Sequence, residues 1–436
     1  MKKAYLSTLG CKVNQFETAA FKSQLEQHGV AVTSVLEEAD FIIVNTCTVT
    51  AKAGSESRRQ VRKALRRNER ATVVVTGCHA QLEHEELSRL PEIDPARLVV
   101  AGNDAKESLV AELLTGQPAP PSRPMNENHG RHRIAPLLVD RFEGRTRAYL
   151  RVQDGCESFC SYCVVPYARG PSRSLPLAEV ERQVMIYQQA GHREIVVTGI
   201  HVGRYGLDLS ENCNIVGLLD RLCQSYPSLR FRLSSIEPLE ISPALLGLMS
   251  AADNLMPHLH IPLQSGDNEV LRRMNRRYTR EQFRAVVDRC RTALPEAAIG
   301  YDVMVGFPGE NEVMFDNSRE LIASTDASYL HIFPFSKRPG TKAASFDEHI
   351  DSAAKQRRVE ILRTLGREKS RAFYRRFINS RRKALLETEK HSGDTLKGFT
   401  DNYIPIVTDT PQNLPREPVT VELTELLTDS VSARIV

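Results

Sequence analysis

The sequence predicts an α/β protein in three parts: an amino-terminal parallel-sheet domain, a central partial (β/α)6 barrel and a small carboxyl-terminal all-β barrel. Three observations predict it. β-Branched, near-continuous apolar runs alternate with helical patterns in two separate stretches, as buried strands of parallel sheets do. A polar, proline-rich segment without periodicity, from about residue 117 to residue 133, divides those stretches. Beyond residue 380 the helical period gives way to short alternating runs broken by turn residues. The expected parts are residues 1–118, a linker at 119–141, then 142–372 and 373–436. At 436 residues the chain is too long for one ordinary domain.

In the first part, residues 3–10, 41–46 and 72–77 read as strands, and each leads into a cysteine: Cys11, Cys47 and Cys78. Between them, residues 18–28 place Ala20, Phe21 and Leu25 on one helical face, with Gly29 as the stop. Residues 57–68 turn Val61, Ala64 and Leu65 inward and their arginines outward. Such alternation predicts right-handed crossovers, so the carboxyl ends of the strands share the edge where ligands of open α/β sheets bind. The three cysteines are expected to converge there. Small thiols also finish buried strands well, which is the plain alternative for any one of them; three in register favour a metal site.

The central part carries strand signals at 149–152, 194–198, 231–234, 258–262, 299–305 and 329–333. Amphipathic segments at 177–190, 215–226, 243–251, 279–293 and 311–324 separate them. Six such units predict a parallel barrel or an open part of one, with its chemistry at the carboxyl ends of the strands. Just past the first strand, Cys156, Cys160 and Cys163 fall within eight positions. So tight a loop can wrap three sulfurs around one compact soft-metal centre and offers no fourth. Structural zinc closes on four ligands and iron–sulfur clusters normally take four thiolates, so each triad predicts a centre with one open position.

Other strand ends are polar or glycine-rich, such as Thr198-Gly199-Ile200-His201 and Gly306-Phe307-Pro308-Gly309-Glu310. None matches Gly-x-Gly-x-x-Gly or the phosphate-loop pattern, which argues against a nucleotide-binding Rossmann domain. His258 and His260 alternate on one strand and are expected to line the interior rather than ligate a metal. Glu237 reads either as a buried polar anchor or as a turn residue, and Cys213, Cys223 and Cys290 read as ordinary thiols.

Residues 351–379 read as a long basic helical connector, followed by alternating runs at 383–388, 396–400, 403–407, 419–423 and 430–436. Small barrels of this kind often bind oligonucleotides, and Arg371, Arg375, Arg376, Arg381, Arg382 and Lys383 stand at the entrance; a β cap that only completes the fold is the alternative. A net charge of +4 implies little by itself, but the arginines are clumped, which points to a polyanionic partner such as nucleic acid. No apolar run approaches a membrane span and the start develops no signal-peptide core, so the expected location is cytoplasmic. Nine cysteines there stay reduced, and clustered ones serve metal or redox chemistry.

Cys156-x-x-x-Cys160-x-x-Cys163, with Tyr162 inside it, resembles the cluster loop of radical S-adenosylmethionine (SAM) enzymes. Joined to Thr-Leu-Gly-Cys11, Asn-Thr-Cys47-Thr and Thr-Gly-Cys78, and to a last barrel similar to the TRAM RNA-binding module, it resembles the methylthiotransferase family over essentially the whole chain. The stretches at 8–15, 166–171 and 232–238 are similar to the tRNA branch that acts on N6-threonylcarbamoyladenosine (t6A). Phe16 departs from the commoner tyrosine. That branch adds a methylthio group at carbon 2 of this adenosine, next to the anticodon.

The resemblance implies two [4Fe-4S] clusters. On Cys11, Cys47 and Cys78 the open iron would hold the sulfur that is methylated and delivered. On Cys156, Cys160 and Cys163 the open iron would chelate S-adenosylmethionine, the source of a 5′-deoxyadenosyl radical, with Tyr162 near the cofactor's adenine. A second SAM would donate the methyl group. The implied partners are tRNA carrying t6A, a flavodoxin- or ferredoxin-like electron donor and a sulfur source, with no membrane. Isopentenyladenosine tRNA or a ribosomal protein is the alternative substrate, and a non-enzymatic RNA-binding protein stabilised by two metal centres is the alternative of another class.

Overall fold

Valine and isoleucine, stiff at the first side-chain torsion, suit a pleated surface packed on both faces, and residues 41–44 and 73–75 form the middle of such a sheet. The computed structural model describes residues 1–89, 97–116, 134, 136–209, 213–392, 395–409 and 417–436. Strands β1 (Lys3–Thr8), β2 (Ala31–Val32), β3 (Phe41–Thr46), β4 (Thr72–Gly77) and β5 (Leu98–Val100) pair in parallel in the order β2-β1-β3-β4-β5. The helices of this part are α1 (Lys12–Gln27), α2 (Ala51–Arg67), α3 (Cys78–Leu82), α4 (His84–Ser88) and α5 (Leu109–Thr115). Ile43 and Val74 pack with α1 and α5 on one face; Ile42, Val44, Val73 and Val75 pack with α2 on the other. Edge strands β2 and β5 are too short to carry a periodic signal.

Helix α1 is apolar on two sides. Phe21 and Leu25 enter the amino-terminal sheet, whereas Phe16 and Ala20 enter the core of the central part. The central strands are β6 (Arg147–Arg151), a hairpin of β7 (Gln153–Asp154) and β8 (Arg173–Ser174), then β9 (Glu194–Thr198), β10 (Arg230–Leu233), β11 (His258–Gln264), β12 (Ala298–Val305) and β13 (Tyr329–Pro334). Apart from the hairpin they run parallel in chain order, as ladders β6-β9-β10 and β11-β12-β13 joined by bridges Phe231–Leu255 and Ser235–His260. No ladder joins β13 back to β6 among the described residues, so the six strands form an open barrel. Around it lie α6 (Val165–Arg169), α7 (Leu177–Gln189), α8 (Ile215–Ser225), α9 (Pro243–Ala251), α10 (Asn268–Arg273), α11 (Arg280–Ala293), α12 (Glu312–Ser324) and α13 (Ser352–Arg375). The chain supplies cap residues where these helices begin: Asn214, Ser242, Thr279, Asn311 and Asp351 each accept from an early backbone N–H.

Residues 117–133 and 135 of the expected linker region lie outside the described residues. Its last residues are packed: Leu137 and Val139 join the central core, and the Gln183 amide both donates to and accepts from the Val139 backbone.

Strands β14 (Arg381–Ser392), β15 (Thr395–Thr400), β16 (Pro405–Asp409), β17 (Val419–Leu426) and β18 (Val431–Ile435) close a five-stranded barrel, the TRAM-like unit that the sequence predicts. It abuts the amino ends of the central strands. Tyr403 packs on His258 with ring centroids 4.3 Å apart, and Ala298 shares a core with Phe373 and Phe377. Three arginines expected at its entrance are used internally: Arg371 donates to the Leu427 carbonyl, Arg376 to Asp326 and Arg382 to Asp401. Arg375, Arg381 and Lys383 are exposed. Among the described residues no helix is long and apolar enough to cross a membrane.

A buried ion pair of the central barrel braces its joint to the last barrel. Arg232 Nε and Nη2 donate to the two carboxylate oxygens of Glu194 at 2.8 and 3.1 Å, and Nη1 to the Asp401 carbonyl at 3.0 Å. Burial alone would raise the Glu194 carboxyl, but the charge and hydrogen bonds of Arg232 and the charge of Arg230 hold it at about 2, against an ordinary 4.5. Because the folded value is the lower one, this stabilisation is complete above pH 4.5 and is lost as pH falls toward 2. Glu194→Gln should lose it at neutral pH as well and strand Arg232, lowering stability by about 3–5 kcal/mol. Denaturant unfolding at pH 7 measures this; an unchanged midpoint would mean the pair does not support the joint.

Candidate active site between two cysteine triads

Helices α1 and α2 leave β1 and β3 toward opposite faces of the sheet, and that divergence opens a crevice at the strands' carboxyl ends. Cys11 and Cys47 stand at those ends, and Cys78 follows the neighbouring β4. Gly10 has φ +99°, and a Cβ there would lie 2.7 Å from Cys47 Sγ, so only glycine lets the two turns meet. Ser57 fixes the second turn: its Oγ accepts from the Cys47 N–H at 3.2 Å and donates to the Cys47 carbonyl at 2.9 Å.

The other triad sits in the loop between β7 and α6, within the connection that joins β7 to β8. Gly155 has φ +78°, and a Cβ would lie 1.9 Å from the Pro171 carbonyl oxygen; its absence lets the loop fold back so that the Cys156 N–H donates to Gly170 at 3.0 Å. His201 Nδ1 lies 3.5 Å from Cys156 Sγ, and its Nε2 lies 2.7 Å from Glu240 Oε1. Arg276 Nη1 donates to Cys160 Sγ at 3.4 Å while Nη2 pairs with Glu237, which is thereby an anchor. Tyr162 packs against Val270, Met274, Phe307 and Phe335. Cys223 and Cys290 are buried in the central core and Cys213 packs against it.

Each expected triad is brought together, and the two are kept apart. A cleft of about 780 Å³ separates them. Cys11, Cys47 and Cys78 line it directly; across it stand His201 and Glu237, the second triad's immediate neighbours, with Ile200, Ile236 and Phe333. Arg169 joins the two sides from within. Its Nη1 donates to Glu17 Oε1 at 3.0 Å and Asp154 Oδ1 at 2.9 Å, and its Nη2 to Asn14 Oδ1 at 2.7 Å. Asn14 and Glu17 follow Cys11 on α1, and Asp154 precedes Cys156. Lys106 and Arg151 complete the buried network.

Environment divides the thiols. Burial pushes Cys47 up to about 11 and Cys163 up to about 12. At Cys156 burial is outweighed by hydrogen bonds from His201 and Ser158, and the pKa falls. His201 is correspondingly held protonated: burial opposes its charge, but Cys156 and Glu240 raise it to about 9.

The donor sets also bear on what they can hold. Among the described residues, only His260, Asp302 and His331 place three metal-ligating atoms all within 4.8 Å of one another. Each cysteine triad offers three thiol sulfurs, one short of the four ligands on which a structural zinc closes. The all-thiolate donor set suits an iron–sulfur group.

Two family profiles match this chain: Uncharacterized protein family UPF0004 over residues 3–99, and the Radical SAM superfamily over residues 150–322. The threonylcarbamoyladenosine tRNA methylthiotransferase MtaB of Bacillus subtilis (strain 168) is 37% identical, across 92% of this chain and 89% of that protein. The MtaB of Aquifex aeolicus (strain VF5) is 38% identical, across 93% and 96%. The chain belongs to the radical SAM methylthiotransferase family. A solved structure of the radical SAM methyltransferase TsrM from Kitasatospora setae, with tryptophan and a SAM analogue bound, shares the fold at TM-score 0.57 and 18% identity, covering 79% of this chain and 75% of that one. Within this methylthiotransferase-family site, the sequence reading missed Arg169, His201 and Arg276. Their only signals were the Pro-Tyr-Ala-Arg-Gly-Pro stretch, a polar strand end and an arginine clump.

The divided thiol pKa values give a test on the iron-free protein. Cys156 should be alkylated first near neutral pH, with Cys47 and Cys163 slow until pH nears 11 and 12. His201→Gln should slow Cys156 alone. Peptide mass mapping after timed alkylation reads this; equal rates at the three thiols would contradict the assigned environments.

Proposed function

We propose that this chain inserts a methylthio group at carbon 2 of t6A in tRNA. One observation carries the reading: a triad able to hold sulfur and a triad able to bind SAM flank a single cleft, in a chain that matches t6A methylthiotransferases along nine-tenths of its length. Cys11, Cys47 and Cys78 would hold one [4Fe-4S] cluster and Cys156, Cys160 and Cys163 the other. When bound, such clusters supply the electron that cleaves SAM and the place where sulfur is carried.

The remaining parts are protein chemistry. His201, protonated and anchored on Glu240, and Arg276, anchored on Glu237, set positive charge beside Cys156 and Cys160; this lowers the Cys156 thiol and offsets part of the burial that raises Cys160. Tyr162 lies within the cluster loop, and the family resemblance would put it near the adenine of SAM. Ile200, Ile236 and Phe333 give the cleft an apolar wall that keeps water from a reactive carbon radical. Arg375, Arg381 and Lys383 offer the TRAM-like barrel's exposed cations to RNA phosphates, which position the substrate without reading its sequence. The reading includes a second SAM as methyl donor, a sulfur source, a flavodoxin- or ferredoxin-like electron donor, and work in the cytoplasm.

The test uses protein reconstituted with iron and sulfide without oxygen, given reductant, SAM and tRNA carrying t6A. Wild type should form 5′-deoxyadenosine and the methylthio nucleoside, both read by mass spectrometry. Cys47→Ala should keep 5′-deoxyadenosine formation and lose sulfur insertion. Loss of both, with the Cys156 centre still loaded, would contradict this division of labour. An unchanged methylthio-t6A level in a deletion strain lacking any redundant enzyme would refute the substrate.

A further inference from the structure

The cleft continues along the inside of the open barrel into a side chamber of about 180 Å³ that ends at Tyr403. Lys12, Ser234, Ser235, Asp302 and His331 line both spaces, so a base held in the cleft can extend a substituent into the chamber. Its walls are charged, unlike those suited to an apolar group: Lys12, Arg147 and Arg232 all face it.

Two of these cations are already engaged. Arg232 holds Glu194 with both ends of its fork, and Arg147 pairs with Glu387 and stacks on Phe399 at 4.5 Å. Lys12 is exposed on the first turn of α1 and has no ion pair among the described residues. Among the chamber's lining side chains Lys12, Arg147 and Arg232 are cationic and Asp302 is anionic; Arg147 and Arg232 are paired behind the wall with Glu387 and Glu194, which leaves Lys12 as the cation without such a partner among the described residues. The polar groups opposite Lys12 form a chain. Tyr329 hydroxyl lies 2.7 Å from His258 Nε2 and 2.9 Å from His260 Nδ1; Asp302 Oδ1 lies 2.9 Å from His260 Nε2 and 3.4 Å from His331 Nδ1. With Nδ1 turned to Asp302, His331 retains Nε2 for a ligand.

We propose that this chamber receives an anionic substituent of the substrate nucleoside, and that Lys12, with His331, binds the carboxylate of the threonyl group of t6A. The proposal rests on the t6A reading above and adds the means of selection: an uncharged, apolar substituent would bury against an unpaired ammonium and desolvate it without return. A divalent cation on His260, Asp302 and His331 is the competing occupant. The Lys12 ammonium lining the same chamber disfavours it, and Asp302 already engages the ring nitrogens that would bind it.

The test titrates reconstituted holoenzyme with SAM against two anticodon stem-loops, one carrying t6A and one its carboxamide, in which a neutral amide replaces the carboxylate. Wild type should bind the carboxylate form about tenfold more tightly, the scale of one charge-assisted hydrogen bond. Lys12→Gln should bring the ratio to near one, and Lys12→Arg should restore most of it. Iron analysis checks the neighbouring centre; if Lys12→Gln loses iron, His331→Gln carries the test, with a partial fall in the ratio expected. A wild-type ratio near one overturns the proposal. So does an equal loss on both RNAs, which would assign Lys12 to a phosphate, and a ratio seen only with added zinc, which would assign a metal to the triad. Methylthio product from both RNAs at a ratio near one sinks this inference alone; no product from the t6A stem-loop sinks the functional reading instead.

Discussion

The guanidinium of Arg169 holds the two cysteine triads in one frame. Its partners come from both sides: Asn14 and Glu17 from the helix that begins at Cys11, and Asp154 from the loop that carries Cys156. Asn14 extends the frame, since its Nδ2 donates to the Leu9 carbonyl at 2.7 Å and the Thr46 carbonyl at 3.0 Å, tying the Cys11 turn to the Cys47 turn. A buried network of this kind is poor evidence for net stability, because desolvation offsets the attraction. Its value lies in geometry. A planar fork bonded through both terminal nitrogens is fixed in orientation, and the groups bonded to it inherit that placement.

Helix α1 shows how densely the sequence uses that frame. From its cap residue through its first two turns, Cys11 faces the cleft, Lys12 the chamber, Asn14 and Glu17 the arginine, and Phe16 the core of the barrel. This helix is therefore one of the elements that set the distance between the amino-terminal sheet and the open barrel, along with the α3–α6 contact and the Asn103 bond to the Ala168 carbonyl. The cleft's polarity follows from the same placement, with an apolar wall near the cysteines and a charged chamber where α1, β12, β13 and the last barrel meet.

The strands and helices were legible because β-branched runs and helical periods are local signals, and the triads because three thiols without a fourth is a local count. Arg169 was not, since its partners lie 15, 152 and 155 positions away and only the fold brings them close. His260 lines the chamber as expected, but its grouping with Asp302 and His331 was hidden for the same reason, since those two join it from neighbouring strands. Charge misled in one direction. Arg276 lies in a clump that resembles a solvated helix face, yet its side chain is buried beside Cys160, and Arg376 and Arg382 at the supposed RNA entrance are tied to acidic groups of the protein. Composition counts charges but does not say which are already paired.

The most direct measurement is the ratio of 5′-deoxyadenosine to methylthio nucleoside formed by Arg169→Lys holoenzyme with both centres loaded with iron. Lysine keeps the buried charge and loses the fork, so the protein should fold while the triads lose their fixed relation. The account predicts that 5′-deoxyadenosine continues to form and product falls about tenfold or more, the scale of misplacing reacting groups by about an ångström. A wild-type ratio would contradict it.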